Sequence, residues 1–108
     1  MHHIVFVTAP DLAVARKLAS GILENRLAAC VNLLPGAESH YRWEEKLCQE
    51  TEVLMVLKTT GDQLVALEAW VQAEHPYDTP EFVVLKIEAG SARYLDWISK
   101  SVGSGSNL

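Results

Sequence analysis

Apolar residues change their spacing from block to block along this chain, and the changes predict an order of elements. His3 to Val7 is a short β-branched run and predicts a first strand. Thr8-Ala-Pro-Asp follows with a capping group and a proline suited to a helix start. Leu12, Ala15, Leu18, Ala19, Ile22 and Leu23 then recur at helical spacing as far as Asn25. Ala28 to Leu34 is a second apolar strand, interrupted by Pro35-Gly36, and Ser39 to Trp43 resumes an extended pattern with Tyr41 and Trp43 on one face. Glu44-Glu45 marks a turn, and from Leu47 the chain returns as a strand to Lys58. Thr60 and Gln63 have the spacing of a capping box before a second helix striped by Leu64, Leu67, Trp70 and Val71 and ending near Glu74. Phe82 to Ile87 predicts a fourth strand. Ser91 caps a last helix carrying Tyr94, Leu95 and Ile98.

The order β-α-β-β-α-β with a terminal helix predicts an α+β fold of the ferredoxin-like type, with both main helices on one face of a four-stranded antiparallel sheet. The other face should then alternate polar and apolar positions. Instead Ile4-Val-Phe-Val, Val53-Leu-Met-Val-Leu and Phe82-Val-Val-Leu are apolar at consecutive positions, so both faces are expected to be buried and the chain to associate with itself. The long middle hairpin, with Tyr41, Arg42 and Trp43 near its tip, is expected to overhang its own sheet and reach a neighbour.

Composition sets the class. With 108 residues the chain is read as one domain over residues 1–100, followed by a tail over 101–108 whose linker-like composition predicts disorder. A net charge of −5 and scattered lysines and arginines argue against a nucleic-acid surface. No apolar run approaches the roughly 20 residues of a membrane span. The first residues resemble no secretory signal, and the two cysteines, Cys30 and Cys48, are expected to be reduced, which together predict a cytoplasmic protein. Phosphate-cradling glycine loops, nucleophile elbows and zinc-protease helices are missing, so an enzymatic role is not expected.

The densest chemistry lies in His75-Pro-Tyr-Asp-Thr-Pro-Glu, where two prolines hold a histidine, a tyrosine and two carboxylates in one stiff connector. His75 has two readings: a metal ligand, with Glu74 or another group beside it, or a hydrogen-bonding group at a helix end. Tyr77, Asp78 and Glu81 either line a cleft or form a rigid loop of satisfied polar groups. Lys58 either binds an anion near the second helix or extends to solvent. Glu44, Glu45, Glu50 and Glu52 read as a solvated acidic stretch.

With these segments in hand, the chain resembles the CutA family of divalent-cation tolerance proteins. The resemblance rests on Thr8-Ala-Pro-Asp, Arg26-Leu-Ala-Ala-Cys-Val-Asn, Ser39-His-Tyr-Arg-Trp with Leu57-Lys-Thr-Thr, the 75–81 segment and Tyr94-Leu-Asp-Trp. It implies a homotrimer similar in architecture to PII-type signalling proteins, with Tyr41 and Trp43 at the subunit interface and Tyr77, Asp78, Glu81 and Lys58 in clefts between subunits. It also implies a role in tolerance of divalent metals, copper above all, through weak metal binding. A signalling or scaffolding trimer that takes a small metabolite or protein in those clefts is the alternative. Some relatives are similar in carrying a cysteine and a histidine doublet proposed as copper ligands; here those positions are Val7 and Glu74-His75, so His75 alone remains. The family often has a glycine after the tryptophan-bearing strand, where this chain has Glu44-Glu45.

Overall fold

A computed structural model describes residues 1–103 of the chain. Strand β1 (His2–Ala9) leads to helix α1 (Leu12–Glu24), strands β2 (Cys30–Trp43) and β3 (Lys46–Thr60), a single 3-10 turn (Gly61–Gln63), helix α2 (Leu64–Glu74), strand β4 (Val83–Lys86) and helix α3 (Ala92–Ser101). The sheet is antiparallel in the order β2-β3-β1-β4. The expected α+β arrangement, four antiparallel strands with a terminal helix, is thus present. No described helix is long and apolar enough to cross a membrane.

Local chemistry explains most of the boundaries. Asp11 sits in extended geometry and its carboxylate accepts the Val14 N–H at 2.8 Å, an N-cap of the kind the sequence suggests. Ser91 does the same for Tyr94 at 3.1 Å. Thr60 departs from expectation: it precedes the 3-10 turn, caps no backbone N–H, and donates its hydroxyl to Asp62 instead. Pro35-Gly36 does not break the second strand. It makes a register shift between Leu34 and Ala37, and β2 continues to Trp43. The final helix also outlasts the expected domain end at residue 100. Ser101 closes it, Val102 is buried, and the Gly103 N–H bonds the Arg26 carbonyl at 3.0 Å. The rest of the expected tail, 104–108, lies outside the described residues.

The core lies between the sheet and α1 with α2. Val5, Val7 and Ala9 of β1 and Val53, Met55 and Leu57 of β3 alternate inward to meet Ala15, Leu18, Ile22, Leu67 and Val71. The helices approach closely because Gly21 has no side chain: a Cβ there would sit 2.3 Å from the Trp70 ring. The opposite face carries Ile4 and Phe6, with Leu85 and Val83 as their β4 partners, and Leu54 paired with Leu34. Helix α3 covers only one end of it, where the Lys58 ammonium lies 5.5 Å from the centroid of the Tyr94 ring. Val83, Leu85 and Leu34 stay 46%, 45% and 47% exposed in the single chain, so the apolar second face is as bare as the sequence pattern implies.

β3 outruns β1. The last pair between them is Ala9 with Val53, and Lys46 to Glu52 project beyond it with β2 alone, about 20 Å at the usual rise per residue. The hairpin turns through Glu44 and Glu45 at φ 48° and 68°, a left-handed pair that favours glycine or asparagine.

Candidate functional site

The projecting hairpin and the 75–81 loop form the two walls of an open cleft of about 840 Å³. Pairing fixes the first wall: alternate residues of β2 and β3 face the same way, which brings Tyr41, Glu50 and Glu52 to one side. The second wall is fixed by where α2 stops. Pro76 cannot continue the helix, His75 turns to extended backbone at ψ 140°, and the chain runs across the end of β1 toward β4.

His75 anchors that turn. It is 7% exposed, its Nε2 lies 2.8 Å from the Thr8 carbonyl, and its Nδ1 accepts the Tyr77 N–H at 3.1 Å. Both ring nitrogens are therefore spent on backbone groups, and a metal at either one would have to break a part-buried hydrogen bond. Of the two roles open to it in the sequence, His75 fills the hydrogen-bonding one. Glu74 points elsewhere, into a groove between α1 and α2 with Lys17, Glu24 and Trp70. The expected His75–Glu74 metal pair is not brought together. Among the described residues no three His, Cys, Asp or Glu side chains converge as a ready metal sphere.

Tyr77, Asp78 and Glu81 all line the cleft, together with Tyr41 and Trp43 from the hairpin. Lys58 does not. It sits six residues along β3 from Glu52, about 20 Å away, beneath Tyr94. Sequence reasoning misses the contribution of Glu38 and Glu52. Glu52, read as part of a solvated stretch, is 8% exposed and accepts the Tyr77 hydroxyl at 2.8 Å. The available signal was its period-two alignment with Leu54 and Val56 on the second face of the sheet.

The electrostatics of the cleft are one-sided. Glu38, Glu50, Glu52, Asp78 and Glu81 line it; no lysine or arginine is among the lining residues, and the His40 imidazole lies 2.8 Å from Glu38. The phenols respond to this. Burial, and then the bond to Glu52, push the Tyr77 hydroxyl above its ordinary pKa. The 2.7 Å bond from Tyr41 to Glu50 pushes its phenol up to about 12. Burial, with Glu52 nearby, raises the Glu81 carboxyl. Such a cleft attracts cations and repels anions.

Comparison with known proteins places this architecture among relatives. The family model for CutA1 divalent ion tolerance protein matches residues 3–101. The divalent-cation tolerance protein CutA of Pectobacterium atrosepticum is 48% identical over 99 residues, covering 92% of this chain and 90% of that protein. The solved divalent cation tolerance protein of Thermus thermophilus superposes with a TM-score of 0.93 at 43% identity, covering 95% of this chain and all of that one (100%). A CutA from Archaeoglobus fulgidus, described as a periplasmic divalent cation tolerance protein, gives a TM-score of 0.92 at 39% identity over 95% of this chain and 100% of its own.

Proposed function

The chain belongs to the CutA1 divalent ion tolerance family, and on that premise we propose that it acts in tolerance of divalent cations as a non-enzymatic homotrimer of the cytoplasm. Its weak cation binding is assigned to the acidic cleft instead of to His75. One observation carries the assignment: five carboxylates line the cleft, and none of the described residues lining it is a lysine or arginine.

The donor set fits a loosely held ion. Carboxylate and phenol oxygens suit hard divalent cations, and among transition metals such a site ranks copper highest by the general order of affinities. Because no three such ligands converge among the described residues, the ion would keep most of its water, which agrees with weak binding. Self-association is supported by the bare apolar face and by Trp43 at the tip of the hairpin, 54% exposed. The number three comes from the family resemblance. Two free cysteines agree with a reducing compartment. The charge of the cleft speaks against a signalling trimer that takes anionic metabolites there.

Calorimetry with Cu²⁺ and Mn²⁺ on the full protein tests the assignment. Glu52→Gln with Glu81→Gln should abolish the heat of binding, while His75→Gln should leave it. Binding that survives the double variant and disappears with His75→Gln would return the metal to His75. Light scattering at micromolar concentration should give three times the chain mass, and a monomer would reject the assembly.

A further inference from the structure

Three of the five cleft carboxylates are already engaged by the protein's own side chains. Tyr41 donates its hydroxyl to Glu50 at 2.7 Å, Tyr77 donates to Glu52 at 2.8 Å, and the His40 imidazole lies 2.8 Å from Glu38. All three acceptors belong to the hairpin wall, but they differ in burial. Glu38 and Glu50 are exposed, whereas Glu52 is only 8% exposed. A carboxylate so shielded needs more compensation than one neutral phenol supplies, and none of the described residues lining the cleft is a lysine or arginine. Its charge is therefore the strongest draw for a cation in the cleft and the hardest to reach. A hydrated ion cannot meet an oxygen that is covered, and the group touching that oxygen comes from the other wall, on the 75–81 loop.

We propose that Tyr77 is a strap over Glu52, an internal competitor that a divalent cation must displace, so that this one residue sets the affinity of the cleft. The strap rests on the assignment of cation binding to the cleft. Only one hydrogen bond has to break for it to open. The Tyr77 ring keeps its place beside the His75 ring, with 4.7 Å between centroids, and His75 holds the start of the loop to β1 through the Thr8 carbonyl. The hydroxyl can therefore turn away while the loop stays anchored. A hydrogen bond to a charged acceptor, at its usual net strength, leaves about one molecule in ten unstrapped and raises the apparent dissociation constant by the same factor. Weak binding then has a cause in the protein as well as in the hydration of the ion. Tyr41 holds Glu50 in the same manner but on the open side, where water screens the bond and its hold counts for less.

Calorimetry with Mn²⁺ on the full chain and its variants tests the strap. Tyr77→Phe keeps the ring and removes the hydroxyl, so it should bind Mn²⁺ about tenfold more tightly, and Tyr41→Phe no more than about twofold. The gain should run through Glu52: added to Glu52→Gln, Tyr77→Phe should bring none. Tyrosine ultraviolet absorption, followed in Tyr41→Phe where Tyr77 is the remaining cleft phenol, should change as Mn²⁺ enters. Binding in Tyr77→Phe that is equal to or weaker than in the natural chain overturns the strap and leaves the cation assignment standing. A gain that persists beside Glu52→Gln also overturns it, as does tyrosine absorption that stays constant while Mn²⁺ binds. Heat in neither the natural chain nor Tyr77→Phe would remove the cation assignment itself, and the strap with it.

Discussion

Strands β2 and β3 form one hairpin, yet its two halves live in different surroundings. At the base, Val53, Met55 and Leu57 are at most 4% exposed, packed under α1 and α2. In the outer half Tyr41, Trp43 and Leu47 are 38%, 54% and 80% exposed, with only the partner strand and the loop for company. Strand pairing runs through both, apart from the register shift between Leu34 and Ala37. Backbone pairing therefore does not distinguish them; burial does. The base is held by the chain's own helices, whereas the outer half offers aromatic surface and carboxylates outward. Fold is concentrated in one half and candidate function in the other.

Core substitution should sharpen that division most. Met55→Ala empties a fully buried position and should cost about 2–5 kcal/mol in urea unfolding, within the range for large-to-small core changes. A loss below about 1 kcal/mol would mean that the base is not the stabilising half. Next comes the bond that joins the cleft walls. Tyr77→Phe removes a hydroxyl donated to a buried carboxylate and should cost about 1.5 kcal/mol, the low end for a charged acceptor because cleft water screens the pair. The pH dependence follows in sign. The folded phenol titrates above the ordinary value of 10.0, so its contribution is whole below about pH 10 and is lost as pH climbs toward the raised value. Tyr77→Phe should flatten that alkaline loss in a thermal-melt series.

How much of this the sequence revealed divides along the same line. Elements of the base were legible because period-two and helical spacing report burial against elements of the same chain, and Ser91 was legible as a cap because capping is local; the first helix was expected to start at Pro10, whereas Asp11 caps it and Pro10 stays outside. The Thr60 cap was misread because Asp62, two residues on, competes for the same hydroxyl. At the site, Tyr77, Asp78 and Glu81 were found through the stiffness of their loop. Glu52 and the distance of Lys58 were not, since both depend on strand register and on which residues lie past the end of β1. The role of His75 turned on a carbonyl 67 positions away in sequence, which no local pattern reports.

The smaller effects test the outer half directly. Glu45→Gly relieves a side chain held at φ 68° and should gain about 1 kcal/mol, seen as a higher thermal midpoint, unless the freedom given to the unfolded chain cancels it. Smallest is Leu47→Ala. At 80% exposure the side chain touches little of its own subunit, so the change should move the unfolding free energy by less than about 0.5 kcal/mol. That near-silence is itself informative, because it depends on what covers the tip. If a neighbouring copy packs on Leu47 in the assembled protein, the same substitution will weaken association, visible as dissociation on dilution in light scattering while the single chain's stability is unchanged. A variant that neither unfolds the chain nor loosens the assembly would limit the interface to the bare face of the sheet, around Val83 and Leu85, and leave the hairpin tip free beside the cleft.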